Sequence, residues 1–371
     1  MSMNYGRRLT DVKCDEAQPL CGRCIRLNQS CQYPPRSPST TSTPSPPENL
    51  SRTLVHNVSN HEGTQQISSL PILDLELLYN SITHTRHTIS GRQSRDDDNS
   101  FQIGLRHQYV LHSSLALSAL HLLSSSPQRL ELIEAATSHQ HAALQIVQPL
   151  IAHPLAENTD ALVLFSAITS IFSMAEPIYN TSGNSIQRDA LDDLVNAFEL
   201  NRGITCILSM KWPDVVTNGI PDVPAIIEDE EGLEKGLDEH YPILLTVMDA
   251  LSILCDDMVQ LESCQKAIRR TFLYMRALEV KSEVEYSRRL IQHWPHSLNK
   301  NYIKMVITRH PAALIVLSYY AALMSMKSDT WWLYKWPALI INRVADLLEP
   351  EAEHLLDWPR QWISKYKMDL E

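Results

Sequence analysis

Residues 34–47 read PPRSPSTTSTPSPP, and polar sequence continues to about Ser69. A stretch so rich in Pro, Ser and Thr buries too little apolar surface to offset the entropy of ordering it, so it stands outside any core. It divides the chain into a head (1–35), a linker predicted to be disordered (36–69) and a body (70–371). Charge divides along the same line. Residues 1–36 hold six Lys or Arg against three acids, a net of +3, so the formal total of −11 leaves −14 on the remainder. A basic head on an acidic body suits a small polyanion-binding module tethered to a domain that does not touch nucleic acid.

From Leu70 onward the pattern changes to long apolar-periodic segments separated by short breakers such as Ser124-Ser125-Ser126-Pro127 and His153-Pro154. Helices are predicted at about 107–123, 130–151, 161–174, 189–211, 241–260, 263–280, 282–293, 311–326 and 330–348, with no convincing strand, so the body is expected to be an all-α helical bundle. Apolar content of 44% is enough for a sizeable core. Pro311 fits the first turn of its helix, where a missing N–H costs nothing. The run Glu228-Asp229-Glu230-Glu231 reads as a solvated loop or a helix start. The longest apolar run, Ala312 to Met326, is shorter than the roughly 20 residues a membrane span needs, which favours a buried helix and no membrane association.

Four of the seven cysteines fall between 14 and 31 as Cys14-x6-Cys21-x2-Cys24-x6-Cys31, interleaved with Lys13, Arg23 and Arg26. The first twenty residues lack the apolar core of a secretory signal and contain Asp11, Asp15 and Glu16, which implies a reducing compartment. Disulfides are disfavoured there, and thiolates gathered by a Cys-x2-Cys turn are good zinc ligands. Cys206, Cys255 and Cys264 are scattered on apolar helices and read as small buried hydrophobes.

The segment from Lys13 to Pro34, KCDEAQPLCGRCIRLNQSCQYP, resembles the second half of the fungal zinc binuclear cluster. The match runs through Lys13-Cys14-Asp15, Pro19, Cys21, Cys24, Cys31 and Tyr33. The resemblance implies a nuclear, sequence-specific transcription regulator in which Cys14, Cys21, Cys24 and Cys31 hold metal and Arg8, Lys13, Arg23 and Arg26 meet DNA. In that family six cysteines hold two zinc ions, and the first two cysteines would fall where this sequence has Asn4 and Arg7. Four thiolates close one tetrahedral site, so the chain as written is expected to hold one Zn(2+) at most, or two if a further Cys-x2-Cys lies upstream. Thr10 and Asp11 sit where the family presents Lys or Arg to the major groove, and an aspartate there repels phosphates. Two readings stay open. Either Met1 to about Asp11 is read across an exon boundary and replaces the missing cysteines, or the head is degenerate and the protein regulates through protein partners without strong DNA contact.

The resemblance continues into the body. Leu77-Leu78-Tyr79-Asn80, the run from Leu111 to Leu122, His139 to Leu144, Arg202-Gly203, His310 to Ile315, Trp331-Trp332-Leu333 and Trp358-Pro359 are similar to the regulatory domain of the sterol uptake control protein group. That likeness implies a helical domain with coregulators, a homodimeric partner or a hydrophobic small-molecule effector, and control of a metabolic or biosynthetic gene set. No heptad zipper follows the head, so any dimer must come from the body. Leu317, Tyr320, Met324, Trp331, Trp332 and Trp336 are the expected lining of an effector pocket. A lipid-sensing helical binding protein is the rival from another class. Enzyme chemistry finds no foothold, since there is no His-Glu-x2-His, no Gly-x-Ser-x-Gly and no phosphate-cradling glycine loop.

Overall fold

The computed structural model describes residues 71–367, apart from 91–94, 153–155, 181–187, 212–226, 228, 282 and 328. The head and the linker, and every expectation placed on them, lie outside the described residues. Every regular element among the described residues is helical, in agreement with the all-α expectation.

The body opens with Ile72–Asn80 (α1), a π-helical turn at Ser81–Thr85 and Arg86–Ser90 (α2). Next come Arg95–Arg106 (α3), Gln108–Ser125 (α4), Glu131–Ala152 (α5), Thr159–Tyr179 (α6) and Ala190–Lys211 (α7). Two short helices, Glu230–Glu234 (α8) and Leu237–His240 (α9), precede Ile243–Leu254 (α10) and Met258–Val280 (α11). The chain ends with Val284–Ser297 (α12), Lys300–Ile307 (α13), Pro311–Ser325 (α14), Trp336–Leu347 (α15) and Asp357–Lys367 (α16).

Two helices organise the packing because they are apolar on nearly every side and so have no face to offer water. In α14 every side chain from Ala312 to Ser325 is buried, and α11, α15 and α16 enclose it. Its Pro311 occupies the first turn as expected, and Tyr302 of α13 donates its hydroxyl to the Ala313 carbonyl at 3.0 Å. In the other half α4 buries Val110, Ala116, Leu117 and Leu120 against α1, α3, α5 and α6. Among the described residues one helix, α6, is long and apolar enough to cross a membrane by length and composition, in contrast to the sequence expectation of no such segment. In this fold Phe165, Ile171, Phe172 and Ile178 of α6 are buried, and the helix packs on α4 and α7.

Capping decides where the remaining helices break. The continuous helix expected over 241–260 ends instead at Leu254, because the Asp257 carboxylate accepts the Gln260 N–H at 2.8 Å and starts α11 there. Asn299 does the same for α13, accepting the Tyr302 N–H at 2.8 Å. Asp229 accepts the Gly232 N–H at 2.9 Å, so the acidic run is a helix start. The helix expected from residue 330 begins only at Trp336, after a run of turns.

Asp189 ties the start of α7 to α15. Its Oδ1 accepts the Leu191 N–H at 2.8 Å, while Oδ2 accepts from Arg343 at 2.9 Å and lies 3.4 Å from Arg309. Burial pushes this carboxyl up, but Arg343, the Leu191 N–H and Arg309 outweigh it and hold it below the usual carboxylate range. Arg309 itself takes a left-handed φ of 58°, the position after a helix end that closes α13, with His310 N–H on Met305 O and Arg309 N–H on Val306 O.

Candidate functional site

The residues expected to line a C-terminal effector pocket are core. Leu317, Tyr320, Met324, Trp332 and Trp336 are each at most 1% exposed. Tyr320 stacks on Trp294 with ring centroids 4.0 Å apart and planes 12° apart, and its hydroxyl donates to the Ile291 carbonyl at 3.0 Å. Trp336 spends its indole N–H on the Met174 carbonyl at 2.9 Å. These rings are filled in on all sides by other side chains, which is why aromatic bulk at helical spacing reads equally well as a pocket or as a core. Trp331 alone is half-buried, stacking beside His121 at 5.0 Å and donating to Thr88 Oγ1 at 2.9 Å.

Open space lies elsewhere. The π-helical turn is shaped by a buried polar network: Asn80 Nδ2 donates to Thr85 Oγ1 at 3.0 Å and to Ser118 Oγ at 2.9 Å. Ser118 in turn donates to the Leu77 carbonyl at 2.7 Å. Residues five apart on an α-helix point about 140° away from one another, so Asn80 and Thr85 meet only because the turn is widened. The widened turn leaves a cavity of about 140 Å³ walled by Ile82 and Thr85, Phe101 of α3, Leu111 of α4 and Ile168 of α6. That is close to the roughly 150 Å³ known to hold a benzene ring, so it has room for a ring or a short chain and not for a whole lipid. Asn80→Leu is expected to cost about 1–2 kcal/mol, because it removes one buried hydrogen bond from each of the Thr85 and Ser118 hydroxyls, which keep only His121 Nδ1 at 2.9 Å and the Leu77 carbonyl at 2.7 Å. Chemical denaturation followed by circular dichroism checks this, and an unchanged midpoint would count against the network as the cause of the widened turn.

A larger cavity, about 430 Å³, lies between α5, α6 and α7. Leu144, Phe172, Ala197 and Leu200 form its apolar walls, with Gln140 and Thr169 also in the lining. At its edge Arg188 Nη2 lies 3.0 Å from Glu176 and 3.3 Å from Asp193. Burial first, then the neighbouring Glu176, push the Asp193 carboxyl up against the pull of Arg188. Among the described residues no cluster of three or more His, Cys, Asp and Glu is arranged to hold a metal ion.

Of the other sequence-predicted residues, Cys264 is buried and Cys255 half-buried, as small hydrophobes should be, and burial pushes both thiols up. Cys14, Cys21, Cys24 and Cys31, with Arg8, Lys13, Arg23 and Arg26, lie outside the described residues.

Comparison with known proteins bears out the resemblance carried by those head residues. Residues 8–40 match the fungal Zn(2)-Cys(6) binuclear cluster domain, a span that includes all four clustered cysteines. Zinc is the cofactor of that domain. A Zn(2)-C6 fungal-type transcription factor of Gibberella zeae is 23% identical over 260 residues, covering 68% of this chain and 52% of that protein. Sterol uptake control protein 2 of Candida albicans is 26% identical over 290 residues, covering 72% of this chain and 39% of that protein. The similarity therefore extends well past the head, and neither relative carries the name of an enzyme. The chain spans about half or less of the length of these curated relatives.

Proposed function

We propose that this chain is a fungal zinc-cluster regulator of transcription, acting in the nucleus, with the helical body carrying its regulatory contacts. The observation that carries the reading is the Cys14-x6-Cys21-x2-Cys24-x6-Cys31 spacing inside the matched segment. Cys14, Cys21, Cys24 and Cys31 hold the metal, and Arg8, Lys13, Arg23 and Arg26 meet the DNA backbone. Control of a metabolic gene set, coregulator binding and a homodimer formed through the body belong to the same proposal. Four thiolates complete one tetrahedral site, so elemental analysis of the purified chain should find no more than one zinc per chain. Two zincs would overturn that ligand set.

A second reading, a regulator that acts through protein partners and touches DNA weakly, is favoured by Asn4, Arg7, Thr10 and Asp11. The two diverge in DNA affinity and salt response. With at most four basic side chains on phosphates, log K should fall with log salt at a slope of about −3 to −4, at roughly −0.9 per phosphate neutralised. Fluorescence anisotropy on duplex DNA should show weak binding that vanishes near physiological salt. Tight, sequence-selective binding by this chain alone would decide for the first reading over the second.

A further inference from the structure

The cavity between α5, α6 and α7 has features beyond empty space. At about 430 Å³ it falls within the roughly 300–1,000 Å³ range of small-molecule sites. Gln140, on its lining, is only 6% exposed. Its Nε2 sits a long 3.4 Å from Thr169 Oγ1, and its Oε1 finds no hydrogen-bond partner among the described residues. Such an unmade bond costs about 1–3 kcal/mol; Oε1 is closed off from solvent as it stands, so a ligand hydroxyl or N–H recovers the bond by turning the amide towards the cavity.

Charge selects the ligand further. Glu176 and Asp193 have side chains only 21% and 16% exposed, and they share the one guanidinium of Arg188. Glu176 gains a second donor, Asn180 Nδ2, at 2.6 Å, whereas the contact of Asp193 with Arg188 is the longer one, at 3.3 Å. Of the lining side chains, Arg188 is the only Lys or Arg, and His141 engages Gln145 at 2.8 Å. The site is thus short of one positive charge. An anionic ligand would add to the imbalance, and a neutral one would leave Asp193 underpaired.

We propose that this cavity binds a small hydroxylated amine, with its ammonium beside Asp193 and Glu176, its apolar body against Phe172 and Leu200, and its hydroxyl completing Gln140. The site stands whether or not the head reads DNA. Isothermal titration of the full chain with four probes tests it: tyramine, phenethylamine, tyrosol and hydroxyphenylacetate. Tyramine should bind saturably, tyrosol about tenfold or more weaker for want of the charge, phenethylamine several-fold weaker for want of the hydroxyl, and hydroxyphenylacetate not at all. Asp193→Asn should erase the preference for tyramine over tyrosol, and Gln140→Leu the preference for tyramine over phenethylamine, both with an unchanged circular dichroism spectrum. Absence of saturable tyramine binding overturns the proposal. So does equal affinity for tyrosol, or a selectivity that survives Asp193→Asn.

Discussion

Trp294→Ala should lower the unfolding free energy by about 4 kcal/mol, a large part of the roughly 5–15 kcal/mol that holds an ordinary domain folded. The Trp294 side chain is fully buried, stacks on Tyr320 at 4.0 Å and meets Phe198 and Tyr302 edge-on at 6.0 Å each. Its indole N–H donates to Thr271 Oγ1 at 2.9 Å, so truncation creates a cavity and also removes a buried hydrogen bond, leaving that hydroxyl only its bond to the Ala267 carbonyl. Tyr320→Ala should cost a similar amount, since it empties the other half of the stack and frees the Ile291 carbonyl. Met258→Ala is the control, at 75% exposure, and should shift stability by no more than about 0.5 kcal/mol. Urea denaturation followed by tryptophan fluorescence and circular dichroism measures all three. The result also separates core from pocket: side chains that lined an open effector site would tolerate truncation, and these are expected not to.

That contrast shows where sequence reasoning reaches. The apolar character of Ala312 to Met326, broken only by Ser318 and Ser325, required a helix buried all round, and α14 is one, since that property depends on the residues alone. The bounds of α7, 189–211 in the sequence reading, were likewise legible, because Asp189 marks its start as a capping side chain. The break between α10 and α11 was legible in principle, since Asp257 followed three residues later by Gln260 is a cap signature, but the apolar pattern on both sides suggested continuity. The small helix α13 hid for a related reason, its only local signal being Asn299. The cavities could not be read at all. Open space depends on how side chains from α5, α6 and α7 fail to meet, and Gln140 looks in sequence like any polar residue on a helix. Trp332, Trp336 and Tyr320 carry enough bulk to wall a pocket, and only tertiary packing shows them buried in the core, Tyr320 against Trp294 and Phe198.

Acid should destabilise the body well before its carboxylates titrate, and the cause is a set of histidines kept neutral. Burial, reinforced by His296 and Arg270, holds His293 down at about 3, and burial with Arg202 holds His296 at about 4. Their rings lie 5.5 Å apart, so protonating one makes the other harder to protonate. His293 Nδ1 also engages the Tyr274 hydroxyl at 3.0 Å, an arrangement that uses the nitrogen as an acceptor when the ring is neutral. His121, held at about 4 by burial and by His84, adds a smaller share because more of it meets solvent. The unfolded chain takes up these protons near the ordinary value of about 6.5, whereas the folded chain does not until about 3 to 4. Stability from these groups is therefore fully present above about pH 6.5 and is lost as the pH falls towards their folded values, at up to about 1.4 kcal/mol per pH unit for each proton. Urea midpoints should fall as the pH drops from about 7 to about 5, with a slope that steepens to nearly two protons for the His293–His296 pair by about pH 5. His293→Gln keeps an acceptor for Tyr274 but cannot titrate, so it should flatten that slope by about one proton whatever it does to stability at neutral pH. A slope identical to that of the parent chain would place the acid sensitivity in other groups and refute the assignment to His293.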